Sequence, residues 1–327
     1  MQLESFKVFK LTKIFVAGAT GYIGINVVKS ALEQNFEVVA ASRKESTDFD
    51  LKDQNLTVIK ITESDDSWLA KLHDIDVVIS CLASRSGEPK DAHNVDFKLN
   101  KLILEKAKAI ECAQFILLSA ICVQKPRLAF QFEKLAFENT LMNSGLNFSI
   151  IRPTAYFKSL SGQIENIKKG KPYVYFGDGK LTQCNPISEK DLSLFILSCI
   201  KDRNKWKQIL PIGGPNQSLT PQNVGKMLFE IFEVSPKYRS FPVKILDVIG
   251  LFFLIGSPFS NWAKNKFELI KIAKYYATES MLIWDESKMC YDPFKTPSTG
   301  NDTLEQYFYA IKKQKVELSV DRDSKLY

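Results

Sequence analysis

The sequence predicts an α/β protein, a doubly wound parallel sheet followed by a smaller, mainly helical C-terminal lobe. Three observations predict it. Through the first half of the 327 residues, short apolar runs alternate with helix-length segments, the pattern of a parallel sheet covered on both faces. A three-glycine turn joins the first apolar run to the first helix. After Pro153 the alternation loosens and helical periodicity dominates.

Taken in order, 13–17 reads as a buried strand and 22–34 as a helix. Strands follow at 37–41, 56–59 and 76–80. A helix near 91–110 leads to strand 115–119, and a helix over 129–143 leads to strand 148–151. Beyond these, 173–176 is a short strand before the Gly177-Asp178-Gly179 turn. Residues 219–313 read as mainly helical, the last helix opening at Asp302-Thr303-Leu304-Glu305. The expected division is 1–154 for the sheet domain and 155–327 for the second lobe, with segments of the latter free to return to the sheet.

Composition narrows the function. With 45% hydrophobic and 25% charged residues the chain can build a sizeable core, which excludes wholesale disorder. Its 15 Gly and 13 Pro follow no period, which excludes a collagen-like chain. A formal charge of +7 is modest and spread along the chain. Nucleic-acid proteins concentrate such charge on one face, so no nucleic-acid partner is expected.

The six cysteines form no Cys-x-x-Cys pair and only His73 and His93 could join them. No metal site is therefore expected, and a reducing compartment suits the chain. No secretory h-region is visible, and only about a dozen residues precede the first strand, short for a transit peptide. That favours a bacterial cytoplasm.

The chemistry begins at Gly18-Ala19-Thr20-Gly21-Tyr22-Ile23-Gly24, placed between strand and helix. Two glycines let the backbone turn and approach a pyrophosphate, and the third lets helix and strand pack closely. The helix N-terminus offers N–H groups and positive potential to the phosphates. This is the context that gives a glycine motif meaning, a Rossmann-type dinucleotide site. At the end of the second strand, where an acidic residue would select NAD(H), the chain has Ser42-Arg43-Lys44. Arg43 can meet a 2′-phosphate with a bidentate fork, assisted by Lys44 and Ser42. NADPH is the expected cofactor, with Gly18, Thr20, Gly21, Tyr22, Ile23 and Gly24 around its phosphates. Small residues after the fourth strand, Ala83 among them, would let it lie close to the backbone.

The Gly-x-x-Gly-x-x-Gly spacing resembles the extended and atypical short-chain dehydrogenases/reductases. That superfamily places a Tyr-x-x-x-Lys pair on the helix after the fifth strand. Here the stretch is Phe130-Gln131-Phe132-Glu133-Lys134. Lys134 stands in the lysine position, implying contact with the nicotinamide ribose, and Ser119 in the serine position. The tyrosine is replaced by Phe130, which has no proton to give. Carbonyl reduction by the usual route is thereby in doubt, whereas a conjugated carbon–carbon double bond needs no such acid. Cys122, Tyr156 and Lys158 are candidate proton donors on position alone.

Longer stretches carry a closer match. They include Leu117-Leu118-Ser119-Ala120-Ile121-Cys122-Val123-Gln124-Lys125-Pro126 and Ile151-Arg152-Pro153-Thr154-Ala155-Tyr156-Phe157-Lys158. Others are Phe176-Gly177-Asp178-Gly179-Lys180, Leu210-Pro211-Ile212-Gly213-Gly214-Pro215 and Tyr275-Tyr276-Ala277. Over about residues 13–310 the chain resembles the NADPH-dependent 8-vinyl reductases of chlorophyll biosynthesis. The resemblance implies hydride transfer from NADPH to the C8 vinyl group of divinyl chlorophyllide or protochlorophyllide. It also implies a tetrapyrrole-binding second lobe, and a plastid stroma or thylakoid surface as the alternative location. No obligate protein partner is evident.

Two other functions stay open on the sequence. One is an NADP(H)-sensing regulator or assembly protein without turnover. The other is a reductase of a different conjugated alkene, of the isoflavone-reductase-like kind. The apolar run 248–255 is too short to span a bilayer. It is expected as a buried helix beside a solvated basic helix, the alternative being peripheral contact with a membrane.

Overall fold

A computed structural model describes residues 11–43, 51–62, 65–215, 217–257 and 260–314. The chain opens with β1 (Lys13–Ala17), α1 (Tyr22–Glu33), β2 (Glu37–Ser42), β3 (Leu56–Lys60) and β4 (Val77–Ser80). A continuous helical run follows: α2 (Pro89–Ala92), a π-helical segment His93–Leu99, and α3 (Asn100–Ala109). Next come β5 (Gln114–Leu118), α4 (Ala129–Met142), β6 (Asn147–Pro153), α5 (Ile164–Lys168) and β7 (Tyr173–Phe176). Then follow α6 (Glu189–Lys201), β8 (Gln208–Ile212), α7 (Pro221–Phe232), β9 (Tyr238–Phe241) and α8 (Lys244–Gly256). The remaining elements are α9 (Asn261–Thr278), β10 (Ile283–Asp285), β11 (Cys290–Asp292) and α10 (Leu304–Lys312).

Seven parallel strands form the main sheet in the order β3-β2-β1-β4-β5-β6-β8. The pleat sends alternate residues to opposite faces. Ile14 and Val16 therefore join the layer under α1 and α6, with Val27 and Ile196. Phe15 and Ala17 join the other layer, against Leu104 of α3 and Phe137 of α4. Each large side chain buried this way contributes about 1.5–3 kcal/mol. Strand order reverses between β1 and β4, so a crevice opens at their C-terminal ends.

Two segments beyond residue 154 return to this body: α6 packs beside α1, and β8 pairs with β6. The rest builds a second core around Phe157, Ile164, Val224, Leu228 and Phe308. Asp191 of α6 ties the C-terminal helix to the sheet domain, accepting the N–H groups of Asn301 at 3.0 Å and Asp302 at 2.9 Å.

The structure departs from the sequence reading in two places. The region read as mainly helical also contains β9, parallel to β7, and the β10–β11 hairpin. These strands have three or four residues each, too few to show a period, and are held by aromatic contacts such as Trp284 on Tyr291. More consequential, α8 is not a buried helix. Leu246 and Gly250 pack inward, but Val248, Leu251, Phe252 and Ile255 are exposed. Among the described residues α9 is its main packing partner, so one stripe of a largely apolar helix is covered and the rest is left open.

Candidate functional site

The parallel sheet brings the ends of β1, β2 and β4 to one edge, together with the loop after β5. At β1 the chain turns through Gly18, whose φ of +75° suits a residue without a side chain. A Cβ there would stand 2.7 Å from the Cys81 carbonyl oxygen, and one on Gly24 would stand 2.1 Å from the Gly18 oxygen. Both contacts forbid a side chain, so α1 begins pressed against the strand ends. Gly21 is the N-cap, with no side-chain cap and no acidic residue in the first turn. The first-turn N–H groups and the positive helix end are thus open to an anion. This cradle fits a pyrophosphate. Thr20 and Gly21 are exposed on the loop, whereas Ile23 is buried in the core beneath it.

Tyr22 faces the second lobe. Its hydroxyl donates to Glu189 at 2.5 Å, its ring lies 6.1 Å from that of Tyr156, and the Lys158 ammonium sits 5.1 Å above it. Burial first, and then the Glu189 charge, drive the Tyr22 pKa far above its ordinary value. Two of the three residues singled out as proton donors, Tyr156 and Lys158, thus gather around Tyr22.

At the end of β2, Ser42 is buried opposite Lys60 of β3, and Arg43 is exposed one residue on. Lys44 lies outside the described residues. After β4, Cys81 donates its N–H to the Ala17 carbonyl at 2.9 Å and Ala83 is exposed. Burial pushes the Cys81 thiol up to about 12, against the pull of the Lys134 charge.

Lys134 projects from α4 into the protein, with 9% of its surface exposed. Its ammonium lies 2.9 Å from Oδ1 of Asp96, which is 1% exposed. The other Asp96 oxygen accepts the Ser84 N–H at 3.4 Å. Asp96 sits in the π-helical segment, and Asn100, directly after it, accepts a 2.5 Å bond from the Ser80 hydroxyl at the end of β4. Phe130, one turn before Lys134, packs in an apolar cluster with Ile121, Cys122, Ile272 and Tyr275. In that cluster the Tyr275 hydroxyl donates to the Cys122 carbonyl at 2.8 Å. Burial raises the Cys122 thiol, partly offset by Gln131, the Lys134 charge and Tyr276.

Ser119 is buried, and its hydroxyl donates to Glu138 at 2.5 Å. Glu138 is itself ion-paired with Arg152. In this arrangement the Ser119 hydroxyl holds a buried carboxylate.

Sequence reasoning missed Asp96, Asn100, Glu138 and Tyr275. Asp96 and Asn100 lie four residues apart in a helical stretch, and Glu138 is one of two carboxylates on α4, with no local signal to mark any of them. Only the sheet edge shows their partners. Among the described residues, no group of three or more His, Cys, Asp or Glu could hold a metal ion.

Fold and site together define a nicotinamide-dinucleotide-binding protein of the short-chain dehydrogenase/reductase type. Residues 18–203 match the family of NAD(P)H-binding domains. The chain has the fold of UDP-glucuronic acid 4-epimerase from Bacillus cereus, solved with NAD bound. The TM-score is 0.66 at 17% identity, over 93% of this chain and 100% of the other. It is 45% identical over 318 residues to the chloroplastic divinyl chlorophyllide a 8-vinyl-reductase of Arabidopsis thaliana, covering 91% of this chain and 76% of that one. Against the enzyme of the same name from Cucumis sativus, it is also 45% identical, over 322 residues, 92% of this chain and 76% of the other. The chain belongs to the divinyl chlorophyllide a 8-vinyl-reductase family.

Proposed function

We propose that this protein reduces the C8 vinyl group of divinyl chlorophyllide or divinyl protochlorophyllide to ethyl. When bound, NADPH would supply the hydride, held by the glycine loop and the residues at the ends of β2 and β4. The observation that carries the reading is the pairing of a buried, carboxylate-held Lys134 with Phe130 one turn away. The site keeps the group that orients a nicotinamide ribose and lacks the phenol that protonates a carbonyl. A vinyl group conjugated to a macrocycle accepts hydride at carbon, spreads the charge through the ring system and then takes a proton from water or a side chain to complete the ethyl group.

Each residue then has a role. The loop of Gly18, Thr20, Gly21, Tyr22, Ile23 and Gly24 holds the pyrophosphate, with Gly18 and Gly24 allowing close approach. Arg43 pairs with the 2′-phosphate, Ser42 and Lys44 beside it, and Ala83 leaves room for the cofactor along β4. Lys134 holds the ribose, oriented by Asp96; Ser119 acts through Glu138 as a positioning residue. Residues 155–327, apart from the segments that return to the sheet, receive the pigment. The reading sets the protein at work in a bacterial cytoplasm or in the plastid stroma and at the thylakoid surface. Peripheral membrane contact belongs to it, since its substrate is a large apolar pigment.

Anaerobic incubation with NADPH and divinyl protochlorophyllide or chlorophyllide tests this, with pigments followed by chromatography and NADPH by absorbance. Conversion to the monovinyl pigment with equal loss of NADPH is expected, with little turnover of NADH. Arg43→Ala should lower the preference for NADPH by roughly 10- to 100-fold, the value of a bidentate charged contact. Lys134→Met should lower turnover by about 100-fold or more. Tight NADPH binding without conversion of either pigment would sink the reading in favour of a sensing or assembly protein.

A further inference from the structure

The α8–α9 hairpin is the largest feature that the site leaves unexplained. The two helices run antiparallel: Phe253 meets Trp262 with ring centroids 5.5 Å apart, and Asp247 pairs with Lys274 at the other end. Gly250 faces Ile270 across the seam, where a Cβ would make an ordinary contact at 3.5 Å. Outside this seam, exposure is unusual for apolar residues: Val248 69%, Phe252 73%, Ile255 68% and Trp262 62%. A contiguous patch of this kind marks a docking surface rather than ordinary scatter.

Charge indicates the occupant. The segment 244–278 carries five lysines against two carboxylates. Both carboxylates are paired within the hairpin, Asp247 with Lys274 and Glu268 with Lys271. Lys264 and Lys266 are exposed near Trp262, at the tip. Apolar side chains, an interfacial tryptophan and flanking lysines are the combination that lies in an anionic lipid surface. Among the described residues no helix is long and apolar enough to cross a membrane, so the hairpin lies on the surface.

The other end of α9 reaches the site. Ile272 and Tyr275 pack with Phe130 and Cys122, about 15–20 Å of helix from Trp262 at about 1.5 Å per residue. We propose that the hairpin docks on an anionic bilayer and that α9 connects this surface to the substrate cleft, so that pigment enters from the lipid. This rests on the reductase reading for the identity of the pigment; the docking itself does not.

The test is co-sedimentation of the full chain with vesicles of phosphatidylcholine alone or with added phosphatidylglycerol. Salt-sensitive binding to the anionic vesicles is expected. The double variant Phe252→Glu/Ile255→Glu should bind at least about tenfold more weakly, since each introduced carboxylate must enter the interface. Lys264→Glu/Lys266→Glu should lose the preference for anionic lipid. Neither variant should alter NADPH affinity or conversion of detergent-dissolved pigment, while pigment supplied in vesicles should turn over more slowly in both. Absence of vesicle binding by the unaltered protein would overturn the proposal, as would a concentration-dependent dimer abolished by the same apolar substitutions. Failure of the unaltered protein to convert detergent-dissolved pigment would instead count against the reductase reading alone.

Discussion

Helices α1 and α8 are nearly equal in length, 12 and 13 residues, and both are rich in aliphatic side chains. One disappears into the protein and the other does not. Ile23, Val27 and Val28 of α1 are closed between the sheet and α6, whereas α8 covers only a single stripe against α9. Composition alone did not separate them. What differs is the supply of partners: α1 has a strand before it, a strand after it and a later helix returning to cover it. The apolar face that lacks a partner within the chain is the face available to something outside it.

The strongest way to break the contrast is to force α1 out of place. Gly24→Val puts a branched side chain where the Gly18 oxygen lies 2.1 Å from the position of a Cβ. The variant is expected to lose at least about 3 kcal/mol of stability, together with NADPH binding, in denaturant titrations and fluorescence binding assays. A gentler comparison truncates one apolar side chain in each helix. Ile23→Ala should cost about 2–5 kcal/mol. Phe252→Ala, equally apolar but exposed, should change stability by no more than about 0.5 kcal/mol. A loss of 2 kcal/mol or more at Phe252 (about that of a buried residue) would show that α8 is covered within the protein.

The smallest effect concerns the strap that fixes the far end of α9. Glu279 accepts from Lys125 at 2.9 Å and from the Tyr291 hydroxyl at 2.5 Å, with Arg127 at 2.9 Å. Burial raises the Glu279 pKa, but Tyr291, Lys125 and Arg127 outweigh it and hold it below the ordinary 4.5. A depressed carboxylate stabilises above its unfolded value and loses that contribution as pH falls through the folded one. Acidification below that range should therefore increase amide exchange in the β10–β11 hairpin before it affects β1. Equal protection of both regions down to pH 3 (roughly a unit under the unfolded value) would remove Glu279 as the clasp.

Much of this was legible in the sequence because its signals are local. A buried strand, three glycines and a helix occupy consecutive residues, and Arg43 directly follows β2. The replacement of tyrosine by Phe130 was equally plain. What stayed hidden depends on contacts distant along the chain. Lys134 meets Asp96 from 38 positions away, Tyr275 reaches Cys122 from 153, and Tyr22 reaches Glu189 from 167. The exposure of α8 was hidden for the same reason. A periodic apolar pattern says that a helix seeks cover and says nothing about whether the fold provides it.

The π-helical segment His93–Leu99 sets a phase. Asp96 within it meets Lys134, and Asn100 just after it meets Ser80. A π-helical turn closes its hydrogen bond five residues on instead of four, so it holds about one residue more than an α-helical turn. Deleting one residue between 93 and 99 would leave composition, hydrophobicity and strand order nearly untouched, yet close the wide turn and shift Asp96 relative to Lys134. Length variation among related chains should stop short of this segment while continuing freely in the loops around it.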